Sequence, residues 1–207
     1  MTETAKSPAM TDHYATWFGT AALDARLAAN DLPLPLFRTF LSQSHVTLKE
    51  KFEHGISAPI LIKARSWLVD QLMDRAWRLI MAEDAQRAAL VAVGGYGRSE
   101  LMPGSDIDLL VLLPDTAHEK LSPRIEALLV FLWDIGLEVG HSVRTIDDCI
   151  EQSLADVTVV TNLMEARLLA GSEELFTGMH DSVAPGKIWN SREFFETKRR
   201  EQRNRHR

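Results

Sequence analysis

Between Pro59 and Glu83 the apolar residues Leu61, Ala64, Leu68, Leu72, Ala76, Leu79 and Ile80 recur at three- and four-residue spacing. Lys63, Arg65, Asp70, Asp74 and Arg78 fall mostly elsewhere, so the segment is an amphipathic helix with one buried face. A looser pattern of Phe37, Phe40, Leu41, Leu48 and Phe52 predicts an earlier helix from Leu36 to His54, with Gly55 as its stop. The texture then changes. Ala89 to Val93 and Ile107 to Leu113 are short apolar runs bounded by Gly94-Gly95 and Pro114, and they read as buried strands. Ser122-Pro123 supplies an N-cap and first turn for a helix through Leu128, Leu129, Phe131, Leu132 and Trp133 that Gly136 ends. Leu137 to Val143 alternates as a third strand, Thr145 caps a further helix, and helices are expected from Asp156 to Ala170 and from Ser191 onward.

This order of helices, a small strand core and more helices predicts an α+β fold: a small mixed β-sheet with flanking N- and C-terminal helices. The expected organisation is a disordered N-terminus over 1–12, a helical region over 13–85, a core over 86–150 and a C-terminal helical region over 151–207. The chain has 207 residues, 45% of them hydrophobic, enough for a real core. No run of about 18 apolar residues occurs and the start is polar, so a cytoplasmic protein with no membrane partner is expected. The lone cysteine, Cys149, stands among Asp147, Asp148 and Glu151 and reads as inert packing. The net charge of −6 is unevenly spread: residues 198–207 carry +5, leaving −11 for the rest, which argues against a nucleic-acid channel.

Candidate chemistry concentrates in G-G-Y-G-R-S-E-L-M-P-G-S-D-I-D-L-L, residues 94–110. Gly94, Gly95 and Gly97 let backbone amides approach phosphate oxygens, although the same glycines would serve a tight strand-to-helix turn. Asp106 and Asp108, two apart on a strand, point to one face with Cα atoms roughly 7 Å apart. Two carboxylates so placed can hold one or two hard cations such as magnesium and suit in-line displacement at phosphorus. Solvated loop aspartates are the plain alternative. Period two in the third strand groups Glu138, Gly140, Ser142 and Arg144, which offers Glu138 as a third carboxylate and Ser142 and Arg144 to a triphosphate.

These residues carry a resemblance. Gly94-Gly95, then Asp106-Ile107-Asp108 in a strand, then an acidic residue in a later strand resembles the signature of the DNA polymerase β-like nucleotidyltransferase superfamily. Within it, residues 94–110 together with L-W-D-I-G-L-E-V-G-H-S-V-R-T (132–145) resemble the N-terminal region of the bifunctional PII uridylyltransferase/uridylyl-removing enzymes. The resemblance spans roughly residues 36–207 and implies the polymerase β-like fold. It implies transfer of UMP from UTP to a tyrosine hydroxyl of the nitrogen-signalling protein PII, with release of pyrophosphate. Two Mg2+ ions are implied on Asp106, Asp108 and Glu138. Gly94, Gly95, Arg98, Ser105, Ser142 and Arg144 are the candidate nucleotide-binding residues. Family members continue into phosphohydrolase and ligand-sensing domains, which 207 residues have no room for, so the chain reads as a transferase module cut short. An adenylyltransferase with another acceptor, or a nucleotide-binding module inactive without those domains, are the alternatives.

Overall fold

The computed structural model describes residues 8–115 and 118–205. It is α+β, as the hydrophobic pattern predicts. Four helices come first: α1 (Pro8–Phe18), α2 (Thr20–Ala28), α3 (Pro33–Glu53) and α4 (Ala58–Met81). They lead into β1 (Ala89–Ala92), a single helical turn α5 (Gly94–Gly97), β2 (Ile107–Leu112), α6 (His118–Asp134) and β3 (Val139–Arg144). The chain continues with α7 (Ile146–Ala155), α8 (Val157–Met164), β4 (Arg167–Gly171), α9 (Glu173–Ser182) and α10 (Ser191–Arg205). Helix α1 starts inside the 1–12 segment expected to lack order; residues 1–7 lie outside the described residues.

The sheet has the order β3-β2-β1-β4, with β1 antiparallel to both β2 and β4 and with β3 parallel to β2. Helix α6 makes the crossover that a parallel pair requires. Alternation in β1 and β2 splits the core into two layers. Leu90, Ala92, Ile107, Leu109 and Val111 face helices α1–α4 and α6, among them Phe37, Leu68, Leu72 and Leu128. Val91, Leu110 and Leu112 face Cys149, Val160, Leu163 and Met179 on the other side. Every residue of β1 is buried, as a central strand between two helical layers demands, and in β2 Asp108 alone is exposed.

Two expectations need correction. The helix expected from Asp156 to Ala170 ends at Met164, and Arg167–Gly171 is the fourth strand. The run Arg167 to Ala170 is apolar enough for either state, and the open edge of β1 recruits it as a strand. Gly171 fixes its end, since its φ of 93° and a Cβ that would fall 2.2 Å from the Ala88 carbonyl oxygen admit no side chain. The sheet therefore draws on residues beyond 86–150. Ser122-Pro123 does not open α6 either. That helix begins a turn earlier, at His118, with Leu121 fully buried and Pro123 inside its second turn. Thr145 does cap α7, accepting from the Asp148 amide while the Asp148 carboxylate accepts from the Thr145 amide.

Candidate active site

Helix α4, the turn α5 and the start of β2 enclose a cleft of about 530 Å³. Pro59, Ile62 and Lys63 form one wall, and Gly95, Arg98 and Ser99 the second. Ser105, Asp106 and Asp108 close it from the strand side. The aspartates reach it because Ile107 between them is 2% exposed and locked in the core, which turns both neighbours outward together. The Val93 amide donates to the Asp108 carbonyl at 3.1 Å, so the end of β1 and the entry to α5 are tied to the strand that carries the acids.

Both sides of the Asp108 carboxylate are left open by glycine. A Cβ on Gly94 would stand 3.2 Å from Oδ2, and one on Gly140 would stand 3.1 Å from Oδ1. Gly94 has a φ of 61°, which also favours glycine there. Partial burial, and then the charge of Asp106, raise the Asp108 carboxyl above the usual carboxylate range. Among the described residues neither aspartate forms an ion pair. Two carboxylates on one face, neither of them ion-paired among the described residues and with room around the oxygens, are a donor set suited to a hard divalent cation.

Glu138 lies one residue before β3, beside the start of β2, where its carbonyl accepts from the Ile107 amide at 2.9 Å. Its side chain is exposed and does not line the cleft. Its charge acts instead on Arg65 of α4, whose guanidinium burial pushes down in pKa and Glu138 pushes back up. Among the described residues no group of three His, Cys, Asp or Glu side chains is gathered to hold a metal.

The other expected residues divide. Gly95, Arg98 and Ser105 line the cleft and Gly94 stands beside the Asp108 carboxylate, with Ser105 Oγ donating to the Met102 carbonyl at 2.8 Å. Arg98 bridges Glu100 at 3.0 Å and Glu165 at 2.6 Å. Ser142 and Arg144 share the Gly140 face but pair with Leu110 and Leu112, further along β2. The Arg144 guanidinium there opposes the burial that raises the Cys149 thiol pKa. Four residues from Gly140, it stands roughly 13 Å along the strand from the acids. Lys63 is the cleft residue that the motif did not disclose. It comes from α4, more than forty residues before Asp108, and nothing but its place on the polar side of that helix pointed to it.

The model of a family described as "Putative nucleotidyltransferase DUF294" matches residues 42–141, which include the α4 wall, the glycine turn, both aspartates and Glu138. The chain is also 47% identical over 189 residues, 91% of its length, to a "Bifunctional uridylyltransferase/uridylyl-removing enzyme" of Pseudomonas putida strain W619. It is 46% identical over 92% of its length to the enzyme of that name from Nitrosococcus oceani, and 46% over 91% to that from Azotobacter vinelandii. Residues 42–141 thus match a nucleotidyltransferase domain, and the chain is similar over most of its length to these uridylyltransferase/uridylyl-removing enzymes. It spans about a fifth of the length of these relatives, 21% in each case. In this nucleotidyltransferase domain the conformation of the glycine turn and the orientation of the aspartates come from one buried framework. Gly97 shows how closely the turn is packed, since a Cβ there would lie 2.5 Å from the Glu165 carbonyl oxygen and 3.1 Å from that of Ala92.

Proposed function

We propose that this chain transfers UMP from UTP to a tyrosine hydroxyl of a PII signalling protein, releasing pyrophosphate, in the cytoplasm. The observation that carries the reading is the pair Asp106 and Asp108, facing the glycine turn across a cleft large enough for a nucleotide. The relatives' names supply the uridylyl group and its transfer.

Asp106 and Asp108 would hold magnesium, which would neutralise the triphosphate and favour the ionised form of the attacking hydroxyl; Glu138, the third carboxylate the resemblance implies, is exposed and outside the cleft here and would have to turn toward it to share the metal. The remaining work falls to the chain itself. The amides of Gly94 and Gly95 hold phosphate oxygens close to the acids, because neither residue carries a side chain that would keep the nucleotide away. Lys63 closes the cleft from the opposite wall and offsets phosphate charge. Ser105 offers its hydroxyl beside the acids. Arg98 reaches phosphate by exchanging one of its two carboxylate partners for it. Their distance along β3 leaves Ser142 and Arg144 outside this arrangement.

The test mixes the chain with PII, Mg2+ and α-labelled UTP or ATP. Label on PII from UTP, lost when tyrosine is replaced in the acceptor, supports the reading. Label from ATP alone makes the chain an adenylyltransferase. Magnesium-dependent nucleotide binding with no label on PII from either nucleotide overturns the transferase assignment for this chain.

A further inference from the structure

We infer that Asp70, in the middle of α4, is a positioning residue for nucleotidyl transfer: through Tyr96 and Arg167 it holds the glycine turn at the distance from Asp108 that the cleft requires. The inference rests on the transferase reading of the same cleft. Asp70 accepts from the Tyr96 hydroxyl at 2.9 Å and from both terminal nitrogens of Arg167 at 2.9 Å. Arg167 in turn donates to the carbonyls of Tyr96 at 3.3 Å and Gly97 at 3.4 Å, and its guanidinium lies 5.5 Å from the centre of the Tyr96 ring. Three elements distant in sequence, α4, α5 and β4, therefore meet on one carboxylate. Tyr96 is 1% exposed and Asp70 8%.

The turn needs such a tether. Four residues make too little helix to hold itself, and three of the four are glycines with no side chain to pack. Tyr96 carries the turn's one side chain, and its hydroxyl is spent on Asp70, while Arg167 holds the turn's carbonyls. A second link runs parallel to it, where Ser66 Oγ, also on α4, accepts from the Leu101 amide at 3.0 Å beyond the turn. The consequence is geometric. Gly94 sits beside Asp108 because Tyr96, two residues on, is fixed to α4, and the buried face of α4 shares one core layer with Ile107 and Leu109 of β2.

The discriminating variant is Tyr96→Phe, which removes a single hydroxyl and leaves the Asp70–Arg167 pair intact; Arg167→Lys, which keeps the charge and loses the fork, is the second. Three measurements are made on each: amide hydrogen exchange across the chain, Mg·UTP affinity, and kcat and KM for transfer. Exchange at residues 94–99 is expected to rise about tenfold, with the amides of Leu68 and Leu90 unchanged. The value of kcat is expected to fall about ten- to a hundredfold, with KM for UTP moving less than kcat. A folded Tyr96→Phe protein with wild-type exchange over 94–99 and wild-type kcat overturns the inference. So does a loss of activity that only follows the loss of folded protein. If the wild-type chain transfers nothing, the transferase reading fails on its own, and exchange over 94–99 together with Mg·UTP affinity decides the positioning claim.

Discussion

Gly140 stands opposite Asp108 across the parallel β2–β3 pair, so near that a methyl group on it would lie 3.1 Å from the Asp108 Oδ1. The backbone of Gly140 has no positive φ, so alanine fits the strand and the difference is one of space at the carboxylate. Gly140→Ala should therefore leave the melting temperature unchanged or slightly higher, since glycine in a strand costs roughly 0.5–1 kcal/mol against alanine. Turning the carboxylate aside should lower kcat for transfer by about tenfold or more. Thermal unfolding and initial rates on one preparation check both halves.

Asp108 itself gives a prediction in which stability and activity part. Its folded-state pKa is raised, by burial first and Asp106 second, so the fold is disfavoured as pH climbs through the window between the ordinary carboxylate value and the raised one. Asp108→Asn removes that loss. The variant should melt above wild type at pH 7 in the absence of metal, and the two should converge below about pH 3, where the wild-type carboxyl is protonated in both states. Its transfer activity should drop about a hundred- to a thousandfold. Melting scans from pH 3 to pH 8 with EDTA, and a wild-type curve above the variant at pH 7, would contradict the account.

How much of this was legible beforehand depends on how local each signal is. Helix α4, β1, β2 and the Thr145 cap announce themselves through periodicity or a cap within one segment. The pairing of Asp106 and Asp108 on one face followed from the two-residue period of a strand, and Gly140 fell on the face assigned to it for the same reason. The fourth strand did not show, because Arg167–Gly171 continues the apolar run of α8 and becomes a strand only by pairing with β1. Lys63 and Asp70 looked like polar positions of an amphipathic helix. The partners of Asp70 and the rest of the cleft that Lys63 lines lie tens of residues away, and that information is tertiary.

Gly97 makes the packing around the turn measurable. Its φ is unremarkable to an alanine, yet a Cβ would meet the Glu165 carbonyl oxygen at 2.5 Å and that of Ala92 at 3.1 Å, both backbone atoms that cannot rotate away. Gly97→Ala should destabilise the chain by about 1–3 kcal/mol through displacement of α5 from the end of α8 and from β1. Urea unfolding gives the number. Gly136→Ala is the control, with a φ of 96° and open space around it, where the penalty is one of conformation alone, about 1 kcal/mol.

Arg98 separates binding from stability. Its pairs with Glu100 and Glu165 are solvent-exposed, with 43% of the arginine side chain accessible, so together they contribute about 1 kcal/mol or less. Arg98→Ala should melt within a few degrees of wild type. If the guanidinium exchanges a carboxylate for phosphate, the same variant should bind Mg·UTP about tenfold more weakly. Unchanged affinity would assign Arg98 to the turn's scaffold alone.

Cys149 supplies a test that involves no nucleotide. The thiol is fully buried against Val91, Leu112 and Val160, and burial pushes its pKa up to about 11, an effect that the nearby Arg144 guanidinium opposes without cancelling. At pH 7 roughly one thiol in ten thousand would be ionised, and that fraction is shut away from solvent. A thiol reagent such as DTNB should therefore leave the native chain unlabelled and react stoichiometrically once urea unfolds it. Because Cys149 packs on the sheet face formed by Leu110 and Leu112, continuous with Asp108, its labelling rate reports opening of that layer. Saturating Mg·UTP should slow the labelling further by stabilising the folded state in proportion to occupancy. Rapid labelling of the folded chain would mean that α7 and α8 open away from the sheet far more readily than their buried contacts imply.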